Sequence, residues 1–246
     1  MIRLIIGIVL LIIFILGLLG SIFGEKMKKT FSFVIFIVFI LLFGCGTKDQ
    51  DGNSFSTIKI GSQVWMAENL NVEHYRNGDT IPQVQDKGKW ASLKTGAWCY
   101  YKNDPTNGKK YGKLYNWYAV NDARGLAPEG LHIPTWAEFK TLKNTVGDDG
   151  NTLKAIGQGT GGGAGTNTSG FSALLAGKRY FYGESTSLGK YTYFWSSTEY
   201  SSTGANFLYL DSSNGANFLY LGSSNYSIIQ KNYYKKYGFS VRCLKD

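Results

Sequence analysis

The chain is 246 residues long, and its 26 Lys and Arg against 17 Asp and Glu give a formal net charge of +9. Residues 1–45 hold four of the basic groups and one acid, so the rest keeps 22 against 16, a net of +6. With no Lys/Arg stripe and no helix-turn-helix or RRM pattern, this mild excess excludes a nucleic-acid footprint. A Gly-, Ser-, Asn- and Tyr-rich remainder of about 190 residues is enough for one domain with its own core.

The front of the chain is read as targeting sequence. Leu4 to Phe23 carries no charge and is long enough to span a bilayer as a helix. A second start follows: Met27, Lys28 and Lys29 as a positive region, then apolar Phe31 to Phe43, then Gly44 and Cys45. Two readings stay open for residues 1–26, a transmembrane helix or a start codon called too early with translation beginning at Met27. Residues 27–44 read as a signal peptide. Leu42-Phe43-Gly44-Cys45 resembles a bacterial lipobox, in which Cys45 would be lipidated; Phe43 departs from its usual small residue. Residues 45–54 read as a polar tether. Its Lys48-Asp49 pair, with Asp51 nearby, loosely resembles the acidic export signal of some surface lipoproteins.

The globular chain, residues 55–246, starts with a hairpin. Thr57 to Ile60 and Gln63 to Met66 flank Gly61-Ser62, a two-residue link suited to a II′-type turn. Asn69 to Asp86 looks irregular. Trp98 to Tyr101 is a short apolar run before a loop from Asn103 to Gly108. Tyr111 to Leu142 is expected to hold two amphipathic helices. The first carries Leu114, Trp117, Tyr118 and Val120 on one face; Gly125, Pro128 and Gly130 then break the pattern. The second opens at Thr135 with Glu138 three residues on, a capping box. Trp136, Phe139, Leu142 and Val146 form its buried stripe.

Beyond it, Thr152 to Ile156 is expected as a short helical piece. Gly157 to Gly170 holds seven glycines; lacking a phosphate-loop context, it reads as a flexible surface loop. Phe171 to Tyr182 and Tyr193 to Trp195 are strand-like. Gly204–Asn214 (GANFLYLDSSN) recurs as Gly215–Asn225 (GANFLYLGSSN), a tandem duplication with one strand per copy and too short for a solenoid. Tyr237 to Asp246 reads as a closing strand. With Cys45 set aside, Cys99 and Cys243 form an even remainder, which in an oxidising compartment points to a disulfide; the alternative is two buried free thiols.

Six motifs carry a resemblance. They are Val64-Trp65-Met66-Ala67-Glu68-Asn69-Leu70, Tyr111-Gly112-Lys113-Leu114-Tyr115-Asn116-Trp117, His132-Ile133-Pro134-Thr135 with Glu138-Phe139, Gly170-Phe171-Ser172-Ala173, Phe194-Trp195-Ser196-Ser197-Thr198, and Gly238-Phe239-Ser240-Val241-Arg242-Cys243. In this order, from Phe55 to the end, the chain resembles the Fibrobacter succinogenes major paralogous domain, whose members are typically exported, often as lipoproteins. The helix cap and the closing motif are also similar to the formylglycine-generating (sulfatase-modifying) enzymes. That similarity implies an α+β, C-type-lectin-like fold with two helices, short strands in mixed antiparallel sheets and long loops, here preceded by N-terminal hydrophobic helices. It also implies that a Cys99–Cys243 staple would join the helical region to the last strand.

Catalytic chemistry is poorly supplied. Tyr226 to Phe239 lacks the reactive cysteines of the sulfatase-modifying enzymes. His132 is read as a packed, hydrogen-bonded residue, and His74 sits in a polar loop without an obvious partner. Ser196 and Ser197 lack a nucleophile elbow. Asp148-Asp149 and Asn103-Asp104 each offer a few oxygens without EF-hand spacing, and the calcium signatures of sugar-binding lectins are absent. No catalytic residue, metal or cofactor is therefore assigned. Trp65, Trp117, Trp136 and Trp195 are assigned to the core. Tyr180, Tyr182, Tyr191, Tyr193, Tyr200, Tyr226, Tyr233 and Tyr234 lie near loops or strand ends, where Tyr with Ser, Gly and Asn gives adaptable recognition surfaces. Asp79-Thr80-Ile81 weakly resembles an O-glycosylation acceptor.

The expectation is a membrane-anchored envelope lipoprotein at the outer membrane or cell surface. Its lectin-like domain binds a polysaccharide or a protein. The alternatives are a structural component binding only its own envelope partners, and a sulfatase-modifying-type enzyme.

Overall fold

The computed structural model describes residues 48–211 and 233–246, and Lys48–Asp246 forms one unit. The hydrophobic segment 1–26, the stretch 27–44 read as a signal peptide, Cys45, the second repeat copy and Tyr226 lie outside the described residues. Among those described, no helix is long and apolar enough to cross a membrane. Over the described residues the architecture is mixed α and β, with a few short helices and three sheets.

Strands β1 (Thr57–Ile60) and β2 (Gln63–Met66) pair antiparallel, Ile60 opposite Gln63. Gly61 takes φ +60 while Ser62 stays at negative φ, as a II′ turn requires. Helix α1 (Lys87–Ser92) buries Trp90. Strand β3 (Trp98–Cys99) pairs with β4 (Leu114–Tyr115) as a two-stranded sheet.

Between them lies α2 (Pro105–Tyr111), where a loop was expected. Asp104 accepts from the Thr106 N–H and Pro105 starts the helix, so both are helix-start signals. The next expected helix, from Tyr111 to Val120, is mostly absent. Gly112 stops α2 at φ +76, β4 follows, and only Trp117–Val120 (α3) is helical, capped by Asn116. Leu114, Tyr115, Trp117, Ala119 and Val120 are all buried, so the apolar spacing there reflected burial on every side and not one helical face.

Helix α4 (Trp136–Thr145) is as expected. Thr135 and Glu138 form the reciprocal box, and Trp136, Phe139 and Leu142 are buried with Val146 packed beside them. Helix α5 is Gly150–Leu153, capped by Asp149, two residues earlier than expected. The glycine-rich stretch is tied down: Asn151 donates to the Gly162 carbonyl and Lys154 to the Gly163 carbonyl.

The remaining strands are β5 (Leu131–His132), β6 (Ala176–Arg179), β7 (Ser185–Leu188), β8 (Tyr191–Glu199), β9 (Gly204–Asp211), β10 (Tyr233–Tyr234) and β11 (Leu244–Lys245). One sheet runs β1-β2-β11-β5, the other β10-β9-β8-β6-β7. Among the described residues the named strands pair antiparallel except β6 with β8. The first repeat copy supplies β9.

The closing segment joins the sheets. Gly238 bridges Arg179, Phe239 bridges Tyr115, Ser240 bridges Phe194, and Leu244 pairs with both Trp65 and His132. Around it lie rings of Tyr193, Trp195, Phe207, Tyr233 and Tyr237, all within 6 Å of the Phe239 ring. A second packed group sets Trp65 against Phe139 and Phe171, with Phe194 on the far side of Phe171.

The expected disulfide is not formed. Cys99 and Cys243 are free thiols, both buried. Cys99 packs with Trp90, Ala97, Tyr101 and Leu114, whereas Cys243 belongs to the separate packed group around Phe239. An even cysteine count carries no information on proximity. Burial pushes the Cys99 thiol up to about 11 and raises Cys243 further.

Long connections are held by buried cations. Arg179 reaches the carbonyls of Val84, Gln85 and Asp86, and Arg242 those of Ala67 and Phe171 with the Asn69 amide oxygen. Lys113 holds Asn71 by its carbonyl and side chain. A buried charge is costly unless hydrogen-bonded, and here most of the acceptors are backbone carbonyls of the irregular connections.

Candidate functional site

The turn between β6 and β7 projects three aromatic residues in a row. Gly183 sits at φ +94, and a Cβ there would lie 2.6 Å from the Lys87 backbone, so only glycine closes the turn. Its N–H donates to the Tyr180 carbonyl. Tyr182 is 47% exposed and stacks on Tyr180 at 5.0 Å and 10°. Phe181 meets the ring of Tyr234 edge-on at 4.9 Å, and Tyr234 is 54% exposed. Beside them a groove of about 290 Å³ is lined by Tyr118, Phe181, Ser202, Thr203, Tyr234 and the Lys235–Lys236 pair. Among the described residues the large exposed hydrophobics are Ile156, Tyr182, Tyr200 and Tyr234, so two of the four share this face.

Beneath the face lies Lys178, 4% exposed. Its Nζ is 4.5 Å from the Tyr193 ring centre, 4.7 Å from Tyr180, 4.9 Å from Tyr233 and 5.5 Å from Tyr237. Among the described residues it has no carboxylate or carbonyl partner, unlike Lys113, Lys154 and Lys235. Burial pushes its pKa down to about 8, and burial raises the pKa of Tyr233 and Tyr237. The rings are thus held neutral around a poorly solvated cation.

A larger cleft, about 420 Å³, opens between the start of the domain and α2. Asn53, Ser54, Glu68, Asn71, Lys109 and Lys110 line it together with Tyr111 and Arg242. Such a volume suits one or two sugar units or a comparable small ligand.

The family model of the Fibrobacter succinogenes major domain matches residues 58–245. The chain belongs to this family. No curated protein and no solved structure matches it.

Within this Fibrobacter succinogenes major domain the residues weighed for chemistry are occupied structurally. His132 is held between Asp246 at 2.7 Å and Glu138 at 2.9 Å. Burial lowers its pKa, but the two carboxylates outweigh this and leave it raised. His74, expected to be unpartnered, pairs with Asp51. Asp51 also accepts from the Glu73 N–H, and Gln50 donates to the carbonyls of His74 and Leu126. The chain is therefore docked on the domain from Lys48 onward, within the stretch expected as a tether.

Asp149 and Asp104 cap helices, Asp148 pairs with Lys143, and Asn103 bonds Gln85 and Arg179. The Ser196 hydroxyl accepts from the Thr198 N–H in the core. Among the described residues no three His, Cys, Asp or Glu side chains converge as a metal site. Trp65, Trp117, Trp136 and Trp195 are buried.

Of the tyrosines expected near loops, Tyr182, Tyr200 and Tyr234 are exposed, Tyr180, Tyr191 and Tyr233 are half-buried, and Tyr193 is core. Sequence reading missed Lys178, Phe181, Tyr237 and Arg242. The Lys-Arg-Tyr-Phe-Tyr run at 178–182 held one signal, a strand passing straight into adjacent aromatics at a Gly turn. For Arg242 nothing local distinguished a buried arginine from a solvated one.

Proposed function

We propose that this protein is a non-enzymatic binding protein of the cell envelope, anchored in the membrane by lipidated Cys45 or by its N-terminal helix. In this reading its lectin-like domain holds a polysaccharide against the tyrosine face. The observation that carries the proposal is the pairing of exposed Tyr182 and Tyr234 beside a groove that also offers Ser202, Thr203 and Lys236. Sugar rings present flat C–H faces edged by hydroxyls. Aromatic faces take the first and hydroxyl or ammonium groups the second, and Tyr does so at low entropic cost. The short mixed sheets and long connections suit a lectin-like arrangement, in which loops carry recognition. The buried thiols of Cys99 and Cys243, with raised pKa, are poor nucleophiles, which weighs against the cysteine chemistry of the sulfatase-modifying enzymes.

The test is binding of the detergent-solubilised full chain to a panel of polysaccharides, with and without a chelator. Saturable binding that weakens at least tenfold, about 1.4 kcal/mol, in a Tyr182→Ala/Tyr234→Ala double variant is expected. Absence of binding across the panel, or indifference to both substitutions, would overturn the reading.

A further inference from the structure

The larger cleft is a second site with its own charge logic. Two of its carboxylates are already claimed from inside. Glu68 accepts from both the N–H and the hydroxyl of Ser56. Asp49 accepts from the N–H groups of Asp51 and Asn53 and from the Asn53 amide. Neutral donors do not cancel a carboxylate's charge, so by residue type the lining sets three cations, Lys109, Lys110 and Arg242, against these two anions, a net of +1. Lys109 and Lys110 are exposed and make no ion pair among the described residues, and Lys110 lies 5.0 Å above the Tyr111 ring. Arg242 is 1% exposed in the cleft wall; its guanidinium is spent on carbonyl and amide oxygens, its Nε–H has no partner, and no carboxylate pairs with it among the described residues. Its hydrogen-bond acceptors are uncharged, and Glu68 in the same lining acts on it through space as the opposite charge.

The neutral lining fits hydroxyl groups. Asn71 uses its side-chain oxygen on Lys113 and Asn53 its N–H₂ on Asp49, so among the described residues the Asn71 N–H₂ and the Asn53 oxygen have no hydrogen-bond partner. Ser54 adds an exposed hydroxyl. A ligand that satisfies this set carries hydroxyls and a negative charge together, with one flat face for Tyr111.

We infer that this cleft is a subsite for a carboxylate-bearing sugar, a hexuronate unit of an acidic polysaccharide, held by Lys109 and Lys110 at the rim with Arg242 behind. The subsite is separate from the tyrosine face and stands whether or not that face binds glycan. The charge in a partly enclosed cleft is screened less than on an open surface, so a uronate is selected over a neutral sugar of the same size.

The experiment titrates the detergent-solubilised full chain with an oligogalacturonate and with a neutral malto-oligosaccharide of equal length, by calorimetry. The expected result is saturable binding of the uronate at least tenfold tighter than the neutral oligomer. It weakens a further tenfold or more in Lys109→Glu/Lys110→Glu and is retained in Lys109→Arg/Lys110→Arg. Arg242 is left intact because it also holds the Ala67 and Phe171 carbonyls, and its loss would confuse folding with binding. The Tyr182→Ala/Tyr234→Ala protein should bind the uronate unchanged, which separates this site from the tyrosine face. Equal affinity for the two oligomers, no binding of either, indifference to the Glu reversals, or tighter binding of a free-carboxylate peptide than of the uronate would each overturn the inference.

Discussion

Replacing Lys178 by Met should stabilise the domain at neutral pH, and the gain should fade as the solution becomes alkaline. The lysine titrates near 10.4 in an unfolded chain and at about 8 in the folded domain, because burial disfavours its charged form. Its folded value is depressed, so the folded state loses its proton first. Below pH 8 both states are protonated and the folded state carries the full cost. Between pH 8 and about 10.4 only the unfolded state stays protonated, and stability rises with pH. At 1.36 kcal/mol per pKa unit, the wild type should gain about 2.5 kcal/mol relative to Lys178→Met between pH 7 and pH 10. Four ring faces act on the ammonium, each worth roughly 0.5–2 kcal/mol, and they oppose the burial cost. Urea unfolding of both proteins at pH 7, 8.5 and 10 reads the balance, since contributions of other groups cancel in the difference. A difference that stays flat over this range would refute the reasoning and show that the rings fully compensate for lost water.

Four further outcomes are expected. Thr135→Ala should cost about 1 kcal/mol in chemical denaturation, because it opens the capping box of α4. Phe239→Ala should cost about 3–5 kcal/mol, read the same way, since Phe239 is buried where the sheets meet. The His132 clamp should matter most between about pH 4.5 and 6.5. Its raised pKa makes the contribution complete below the unfolded value and lost as pH rises through the folded one; Glu138, lowered despite burial by Thr135 and then His132, loses its contribution as pH falls through its folded value. His132→Gln should therefore flatten the fall in melting temperature between pH 5.5 and pH 8, an effect kept small because His132 is 35% exposed. Cys99 and Cys243 should react with a thiol reagent only after denaturation, and reaction in the native domain would contradict their burial.

What was legible in the sequence was local. The Gly61-Ser62 turn and the Thr135–Glu138 box each rest on residues within a few positions of one another, and both are in place. The Tyr193–Trp195 strand and the first repeat copy also appear as strands, β8 and β9. Misreadings arose where burial was uniform or the partners were remote. Leu114 to Val120 looked helical because nearly every position is apolar and buried. Arg242 bonds residues 67, 69 and 171, and Lys178 is boxed by residues 180, 193, 233 and 237. The tyrosine face was visible as a list of tyrosines; which of them face outward depended on how the turn after β6 meets β10 across the sheet.

The cations that hold the loops also settle how the domain presents itself electrically. Lys113, Lys154, Lys178, Arg179, Lys235 and Arg242 are buried, and no Asp or Glu is buried among the described residues. Over the described residues 21 basic groups face 16 acidic ones, a net of +5, so the six buried cations outnumber that excess. The exposed side chains taken alone are close to balance, but burial does not remove a cation's charge from the total, and the domain keeps its net excess as the chain keeps its pI near 9.3. Long-range attraction of acidic polymers follows that net excess and is limited by salt screening over about 10 Å, while selectivity among them would come from local pockets where charge is unbalanced.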